Sequence, residues 1–206
     1  MTIAIPALNC GNFSSVINIV EKAGGQARVV HNPAELVSFP KLLIAGVGAF
    51  DAGMSSIIEG KWKEVLDEAV LRNRTPVLGI CLGMQLLCNQ SEEGKLPGLG
   101  WIDADVRRFR ICTETPLKIP HMGWNTVDVQ KPNPLIATDQ EEQRYYFVHS
   151  YHAVCRIPGD VLATAHYGYN FAAAVSRDNI MGVQFHPEKS HRFGLALMRR
   201  FVNLPC

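Results

Sequence analysis

A single cysteine between two glycines is the best candidate nucleophile in this chain. Gly79-Ile80-Cys81-Leu82-Gly83 follows the apolar run "PVLGI" (76–80) and precedes a helix-like segment at 82–89. It is the cysteine counterpart of the G-x-S-x-G turn, in which a strained strand-to-helix corner holds the nucleophile out toward a cleft. The helix that follows would direct its first N–H groups at the sulfur and favour a thiolate. The pentapeptide alone leaves open a buried structural cysteine.

A cysteine nucleophile needs a base, and His186 in "GVQFHPEKS" (182–190) is the candidate. The apolar residues before it predict a strand, and Pro187 suits the end of a strand because it cannot donate a ladder hydrogen bond. Glu188 can bond one imidazole nitrogen and leave the other to face the thiol. Alone, His-Pro-Glu could be a polar surface turn. Together with Cys81 it favours a catalytic triad.

A glycine-rich loop, "AGVGAF" (45–50), follows another predicted strand. Its glycines could present backbone N–H groups to an anion. The loop is too short and wrongly spaced for a phosphate-binding P-loop or a dinucleotide fingerprint. We therefore expect an oxyanion-hole loop, and the alternative is a plain turn.

The elements that must position these residues alternate between strand and helix in the first half of the chain, which is the pattern of a wound α/β sheet. The predicted strands there are 2–8, 26–30, 41–45 and 76–80, and the predicted helices are 12–24, 55–72 and 82–89. The second half is strand-rich, with "WIDADVRRF", "WNTVDV", "YYFVHSYHAV", "DVLATAHYG", "FAAAVSR" and "IMGVQF" before a last helix at about 191–203. We predict one α/β domain over residues 1–206, with a central, mostly parallel sheet flanked by helices.

Composition and charge argue against several classes of protein. The chain is 47% hydrophobic and 19% charged, as is ordinary for a soluble globular protein. A net charge of +1 gives no reason to expect a nucleic acid or a membrane surface as partner. No apolar run reaches the roughly 20 residues of a membrane span, and the N-terminus lacks the features of a signal peptide. The six cysteines include no C-x-x-C pair, so we expect reduced thiols in a cytoplasmic protein.

A metal site is the alternative chemistry for the histidines. His149-x-x-His152 and the pair His186 and His191 are the candidate ligands. The chain has neither a closely spaced cysteine pair nor an H-E-x-x-H helix, so we expect no metal and no other cofactor. A spacing of three on one predicted strand should also put His149 and His152 on opposite faces.

Five motifs together resemble the class I, triad-type glutamine amidotransferases, over nearly the whole chain. They are "PVLGICLGMQLL", "PHMGWN" (120–125), "YYFVHSY" (145–151), "HYGYNFAAAV" (166–175) and "NIMGVQFHPEKS" (179–190). "PHMGWN" and "YFVHSY" make the chain similar to the glutaminase subunits of imidazole glycerol phosphate synthases, from histidine biosynthesis. The resemblance implies glutamine hydrolysis by Cys81, His186 and Glu188. It also implies a heterodimer in which ammonia passes to a (β/α)₈-barrel synthase subunit.

The resemblance implies roles for residues around the triad as well. Backbone N–H groups of Leu82, Val47 and Gly48 would form the oxyanion hole. The residues implied near the glutamine are Gly46, Gln85, Ser150 and Tyr151. Those implied at the partner interface are His121, Gly123, Trp124, Asn125 and Lys189.

Two departures from the family pattern bear on the partner. The family's first strand usually runs into Asp-Tyr-Gly-x-Gly-Asn, and the segment Ala7-Leu8-Asn9-Cys10-Gly11-Asn12 keeps only its last Gly and Asn. Ala45 stands where the family has a proline, which would restrict the backbone ahead of the glycine loop. Neither change removes a catalytic atom, but both leave the partner and the pathway open.

Three other functions stay open at this point. A paralogous subunit would supply ammonia for amidino-sugar synthesis. A stand-alone cysteine hydrolase would use the same cysteine corner without needing a partner. A catalytically silent binding subunit would carry a damaged triad, and Cys81, His186 and Glu188 are all present here.

Overall fold

The computed structural model of the chain describes residues 2–11, 13–111, 117–136 and 142–205. Asn12 of the altered segment lies outside these residues. The strands within them are β1 Thr2–Pro6, β2 Gln26–Val30, β3 Lys41–Gly46, β4 Val77–Cys81, β5 Gln90–Ser91, β6 Ala104–Arg108, β7 His121–Val129, β8 Gln143–His149, β9 Tyr151–Cys155, β10 Val161–His166, β11 Asn170–Arg177 and β12 Ile180–Val183. The α-helices are α1 Phe13–Lys22, α2 Phe50–Glu59, α3 Lys63–Asp67, α4 Leu82–Leu86 and α5 His191–Asn203.

The sheet is parallel at its centre and antiparallel beyond it. The order is β2-β1-β3-β4-β12-β11-β10-β7-β8, and the first five of these strands pair in parallel. From β12 onward each neighbour along this path is antiparallel. Strands β5, β6 and β9 form a branch that joins β11 through β9. The expected central parallel sheet and strand-rich second half are both present, in one mixed sheet.

The apolar runs form the central strands because both faces of the sheet are covered. All six residues of β3 and all five of β4 are buried. Successive residues contribute to opposite cores, with Ile3 and Ile5 on one side and Ala4 on the other. The first core includes buried residues of α1 and α5, and the second includes those of α2, α3 and α4. This burial on two faces explains why the strands are continuously apolar rather than alternating.

The helix predicted over 55–72 is wrong in its bounds. The structure has α2, then a break at Gly60–Trp62, then α3, which continues as a π-helical turn over Glu68–Arg72. A Cβ at Gly60 would lie 2.6 Å from the Trp62 ring, which turns into the core and is 3% exposed. The helix also starts earlier than predicted, because the Glu93 carboxylate accepts the backbone N–H of Phe50 at 2.9 Å. A carboxylate from a distant segment gives no local sequence signal for that start.

The other misplaced boundaries lie in the second half of the chain. The run "YYFVHSYHAV" was predicted as one strand, but it breaks at Ser150 into β8 and β9. These two strands pair with different neighbours, β8 with β7 and β9 with β6 and β11. The last helix matches its predicted span of 191–203. Among the described residues, no helix has both the length and the apolarity to cross a membrane.

Candidate active site

Cys81 lies at a strained corner between β4 and α4. Its backbone has φ 54° and ψ −110°, outside the favoured regions for a residue with a side chain. Such a conformation costs on the order of 1–3 kcal/mol and persists only where the surroundings enforce it. The two flanking glycines show how. A Cβ at Gly79 would lie 2.7 Å from the carbonyl oxygen of Gly83, and one at Gly83 would lie 1.8 Å from the carbonyl oxygen of Ile44.

The helix after the corner is shorter than predicted. It spans Leu82–Leu86 rather than 82–89, and the chain then turns toward β5. The N–H of Leu82, at the first position of this helix, has no partner within the helix itself. A helix of this length therefore offers the site a backbone donor rather than a long dipole.

His186 and Glu188 are joined by a short hydrogen bond. Nδ1 of His186 lies 2.7 Å from Oε1 of Glu188, and His186 is only 2% exposed. The turn that carries both residues is held by Ser190, whose hydroxyl donates to the His186 carbonyl at 2.6 Å. The same hydroxyl accepts the backbone N–H of Tyr146 at 2.9 Å. The imidazole is thus fixed by β8 as well as by its own turn.

The surroundings of His186 favour its protonated form. Burial alone would lower the pKa of His186, but the Cys81 thiol and the Glu188 carboxylate outweigh it and raise the pKa to about 9. Within the described residues, neither Nε2 of His186 nor Oε2 of Glu188 has a hydrogen-bond partner. Glu188 therefore holds one ring nitrogen of His186, and the other, Nε2, is left to exchange a proton in the site.

The glycine-rich loop lies beside Cys81 because β3 and β4 are parallel neighbours. Gly46 is in register with Cys81 at the end of the pair. The next residue, Val47, donates its N–H to the carbonyl of Cys10 at 2.6 Å, so this N–H is directed at that carbonyl. Gly48 has φ +112°, a conformation that favours glycine.

These elements surround a cleft of about 340 Å³. Cys81, Leu82 and His186 line it from the corner and the turn, and Val47 and Gly48 line it from the loop. Four more of the predicted residues line the same cleft: Gln85, Ser150, Tyr151 and Lys189. Glu188 reaches the site through His186 and lines a separate groove beside α1 and α5. The arrangement can hold a small substrate against a thiol, an imidazole and backbone donors.

Comparison with known proteins gives the family. A family model described as "Glutamine amidotransferase class-I" matches residues 7–203. The chain belongs to the class-I glutamine amidotransferase family. It is 47% identical over 194 residues to the imidazole glycerol phosphate synthase subunit HisH 2 of Pseudomonas aeruginosa, covering 94% of this chain and 95% of that one. It is 46% identical over 200 residues to the subunit HisH 2 of Methanococcus maripaludis, covering 97% and 98%.

A solved structure shares the fold at low sequence identity. It is a putative GMP synthase protein from Thermoplasma acidophilum, with a TM-score of 0.70 and 18% identity over 98% of this chain and 92% of that one. As a member of this family the chain is a glutamine amidotransferase. The predicted class and fold are confirmed, whereas the roles of individual residues stay predictions.

Three residues of this amidotransferase's site were missed from the sequence. Glu93 lines the cleft. Gln184 is fully buried behind Cys81, and Ser190 braces the histidine turn. Gln184 and Ser190 lie within two and four residues of His186, and a polar residue inside an apolar strand end was an available signal. Glu93 lies in an irregular segment outside the quoted motifs, with no local pattern that directs it to the cleft.

The residues predicted at the partner interface differ in exposure. Trp124 is 41% exposed and stacks on His191 with ring centroids 5.5 Å apart. Lys189 is also exposed, with its ammonium 5.9 Å from the centroid of the Tyr146 ring. Gly123 and Asn125 are half-buried on β7. His121 is 3% exposed, so in this conformation its ring faces the interior.

A cluster of three histidines surrounds Phe109. Nδ1 of His121 lies 3.0 Å from Nε2 of His149, whose Nδ1 lies 2.7 Å from the carbonyl oxygen of Tyr151. Burial lowers the pKa of His121 to about 4 and that of His149 to about 3, so both rings are neutral near pH 7.

The expectation that His149 and His152 face opposite sides was wrong. Both rings contact Phe109, with centroids 5.2 and 4.6 Å away. The break at Ser150 explains this, because alternation between faces holds only within one strand. Across the described ranges, no three His, Cys, Asp or Glu side chains are grouped so as to hold a metal ion.

Proposed function

We propose that this chain is the glutaminase subunit of an imidazole glycerol phosphate synthase, with Cys81, His186 and Glu188 as its catalytic triad. The observation that carries the triad is the strained Cys81 corner facing the same cleft as a His186–Glu188 pair. The pathway rests on two nearly full-length relatives whose names are those of this synthase's subunit. We take the whole chain, 1–206, as one glutaminase domain.

The chemistry follows from the protonation state of His186. With its pKa raised to about 9, His186 carries a proton near pH 7, and Cys81 reacts as the thiolate, which is the nucleophilic form of a cysteine. The sulfur attacks the side-chain amide carbon of glutamine, and the carbonyl π pair moves onto oxygen. His186 then donates its Nε2 proton to the leaving nitrogen, the C–N bond breaks, and ammonia departs from a glutamyl thioester. A water that loses its proton to His186 attacks the thioester and frees glutamate and Cys81.

The oxyanion needs backbone donors at the mouth of the corner. The N–H of Leu82 is adjacent to Cys81 and lies at the start of α4. Gly48 lines the cleft on the other side. Val47 can contribute only after its N–H leaves the Cys10 carbonyl, 2.6 Å away, and the peptide turns. One such donor is worth about 10²–10³ in rate.

The cleft also has groups for the charged end of an amino acid. Glu93 is the carboxylate that lines it, and we assign it to the substrate ammonium group. Ser150 and Tyr151 line the same cleft, and we assign their backbone N–H groups to the substrate carboxylate. A side chain at Gly46 would crowd the residue after Cys81, since a Cβ there would lie 3.2 Å from Leu82. Gln85 acts from below, because its amide nitrogen already donates to Tyr151 and Gln184.

The partner is a (β/α)₈-barrel synthase subunit that docks over the cleft. Four exposed apolar residues belong to the cleft rim and to the segment around its lining residue Pro120: Val47, Ile119, Met122 and Trp124. They are 36–61% exposed, and neutral ammonia needs a covered path if it is not to be lost to water. Gly123, Asn125 and Lys189 would flank this rim, and His121 would support it from beneath.

Two observations support a second acceptor pathway. The carbonyl of Cys10, in the altered 7–12 segment, accepts the Val47 N–H, so this departure from the family pattern contacts the glycine-rich loop. Both close relatives named above also carry the number 2. The second candidate is therefore a paralogous subunit that delivers ammonia for amidino-sugar synthesis.

The test is glutamate release from glutamine by the purified chain, alone and with the barrel synthase subunit of the same organism, supplied with its nucleotide ligand. A large rise with the histidine-pathway barrel, lost in Cys81→Ser, supports the proposal. No rise, with Cys81 still labelled by a glutamine-like electrophile, moves the chain to the amidino-sugar partner. Full activity of Cys81→Ser would refute the assignment of the nucleophile.

A further inference from the structure

A buried amide lies directly behind the sulfur of Cys81. Gln184 follows β12, is 0% exposed, and has its Nε2 at 3.7 Å from Sγ of Cys81. The geometry points to Gln184 as a positioning residue that holds the sulfur and favours its thiolate through an N–H···S hydrogen bond. This inference rests on the proposed function in one respect, namely that Cys81 is the nucleophile.

The direction of that hydrogen bond is fixed by a backbone carbonyl. The Tyr151 carbonyl can only accept, so the Gln85 side chain must present its nitrogen there, at 3.2 Å. The same nitrogen donates to Oε1 of Gln184 at 3.0 Å. Flipping the side-chain amide of Gln184 alone would place its nitrogen opposite the Gln85 nitrogen. Flipping both amides would place the Gln85 oxygen opposite the Tyr151 carbonyl oxygen. Gln184 is therefore left with its N–H₂ group toward Cys81.

This donor differs from the other groups around the sulfur because it does not titrate. The titratable groups that face Cys81 or line its cleft are His186, Glu93, His149, Tyr151 and Lys189. An amide N–H bonds a thiolate more strongly than a thiol, as with other charge-assisted hydrogen bonds. Since Gln184 is buried and neutral, its contribution persists where His186 has lost its proton and is little screened by salt.

The test compares the alkylation of Cys81 by iodoacetamide in the wild-type chain and in Gln184→Met, from pH 5 to 10, with the modified peptide quantified by mass spectrometry. Methionine keeps the length of the side chain and removes the donor. We expect a rate about tenfold lower at pH 7, a profile moved to higher pH, and an unchanged plateau at high pH. No glutamine is present, so this outcome does not depend on glutamine hydrolysis.

Two further variants make the result decisive. Gln130→Met makes the same change at an exposed site that donates to Asp128 and Thr164, and it should leave the profile unmoved. Gln184→Glu keeps the oxygen that faces Gln85 but, once ionised, has no N–H to donate to the sulfur. It should move the pH profile of alkylation at least as far as Gln184→Met does. It also replaces the methionine variant if that variant does not fold. A wild-type profile in the folded Gln184 variants overturns the inference. A shifted profile in a chain that hydrolyses no glutamine, even with a barrel synthase subunit added, keeps the inference and removes the proposed function instead.

Discussion

The backbone of Gly83 packs against the carbonyl oxygen of Ile44, so closely that a Cβ at position 83 would lie 1.8 Å from that oxygen. Ile44 is in β3 and Gly83 is in the first turn of α4. This contact is what lets the chain leave β4 sharply enough to hold Cys81 at φ 54°. The strain at the candidate nucleophile is thus enforced by a glycine that makes no contact with substrate in the proposed mechanism.

Gly83→Ala should therefore be strongly destabilising. Backbone atoms cannot move aside as a flexible side chain can, so we expect a loss of about 3 kcal/mol or more in the free energy of unfolding. Gly159→Ala is the matched control, because nothing lies within 4 Å of a Cβ at that position. Urea unfolding of both variants checks the prediction. Equal stability of the two would mean that the corner is not held by this contact.

Replacing Cys81 by two small residues should separate strain from chemistry. Glycine accepts a positive φ readily and alanine does not, so Cys81→Gly should be more stable than Cys81→Ala by about 1 kcal/mol. Both should lack glutaminase activity because both lack the sulfur. Thermal unfolding and glutamate release, measured on each variant, test the two statements separately. An alanine variant as stable as the glycine variant would show that position 81 carries no strain.

The corner is also the part of the site that the sequence predicted best. Gly79 packs against the carbonyl of Gly83, a local contact that a five-residue pattern can express, whereas Gly83 packs against Ile44 of another strand. The pairing of His186 with Glu188 was also predictable, because side chains two residues apart in the sequence can reach the observed distance of 2.7 Å. The parallel strands were predictable from continuous apolar runs, since burial on both faces leaves no alternation.

Contacts between distant segments set the limits of that prediction. Glu93 fixes the start of α2 from 43 residues away, and Gln184 reaches Cys81 across 103 residues. The break of one predicted strand at Ser150 depends on β8 and β9 choosing different neighbours. Strand pairing depends on contacts in the assembled sheet, so it cannot be predicted from a short window of local sequence.

Glu188→Gln should move the pH dependence of the triad. Glu188 raises the pKa of His186, so removing its charge lowers that pKa from about 9. In the proposed mechanism His186 donates a proton to the leaving ammonia, so the alkaline fall in glutaminase rate should begin at lower pH. A pH–rate profile of the assembled enzyme measures this shift. An unchanged alkaline limb would mean that another group controls it.

The same pair should affect stability with a definite sign. His186 binds its proton more tightly in the folded chain than at its ordinary pKa of 6.5. Its contribution is therefore fully present below pH 6.5 and is lost as the pH rises through about 9. The wild-type free energy of unfolding should fall over that interval, and Glu188→Gln should flatten the fall.

Removing exposed apolar surface at the cleft rim should weaken partner binding while leaving the fold intact. Trp124 and Met122 are 41% and 61% exposed, so Trp124→Ala with Met122→Ser removes little from the core. We expect the dissociation constant for the barrel subunit to rise at least tenfold, since buried aromatic residues dominate interface energies. Ile157→Ala is the control, because Ile157 is 46% exposed and follows β9 rather than lining the cleft. Calorimetric titration of each variant with the barrel subunit measures the dissociation constant, and equal values for the rim and control variants would show that the interface lies elsewhere.

The buried histidines should make the fold sensitive to acid. Burial lowers the pKa of His149 to about 3, whereas the unfolded chain takes up a proton near 6.5. Its neutral ring therefore stabilises the fold fully above pH 6.5, and this contribution is lost as the pH falls toward 3. His121, with its pKa lowered to about 4, acts in the same direction. We expect the free energy of unfolding to decline below pH 6.5.

His149→Gln tests whether this decline comes from the cluster. Glutamine can donate to the Tyr151 carbonyl and accept from His121 without taking up a proton, so the variant should start lower in stability at pH 8 yet decline less steeply between pH 6.5 and 4. His31→Gln removes an exposed histidine and should run parallel to the wild type. Urea unfolding at a series of pH values gives the slopes. A His149→Gln curve parallel to the wild type would show that the acid sensitivity does not come from His149.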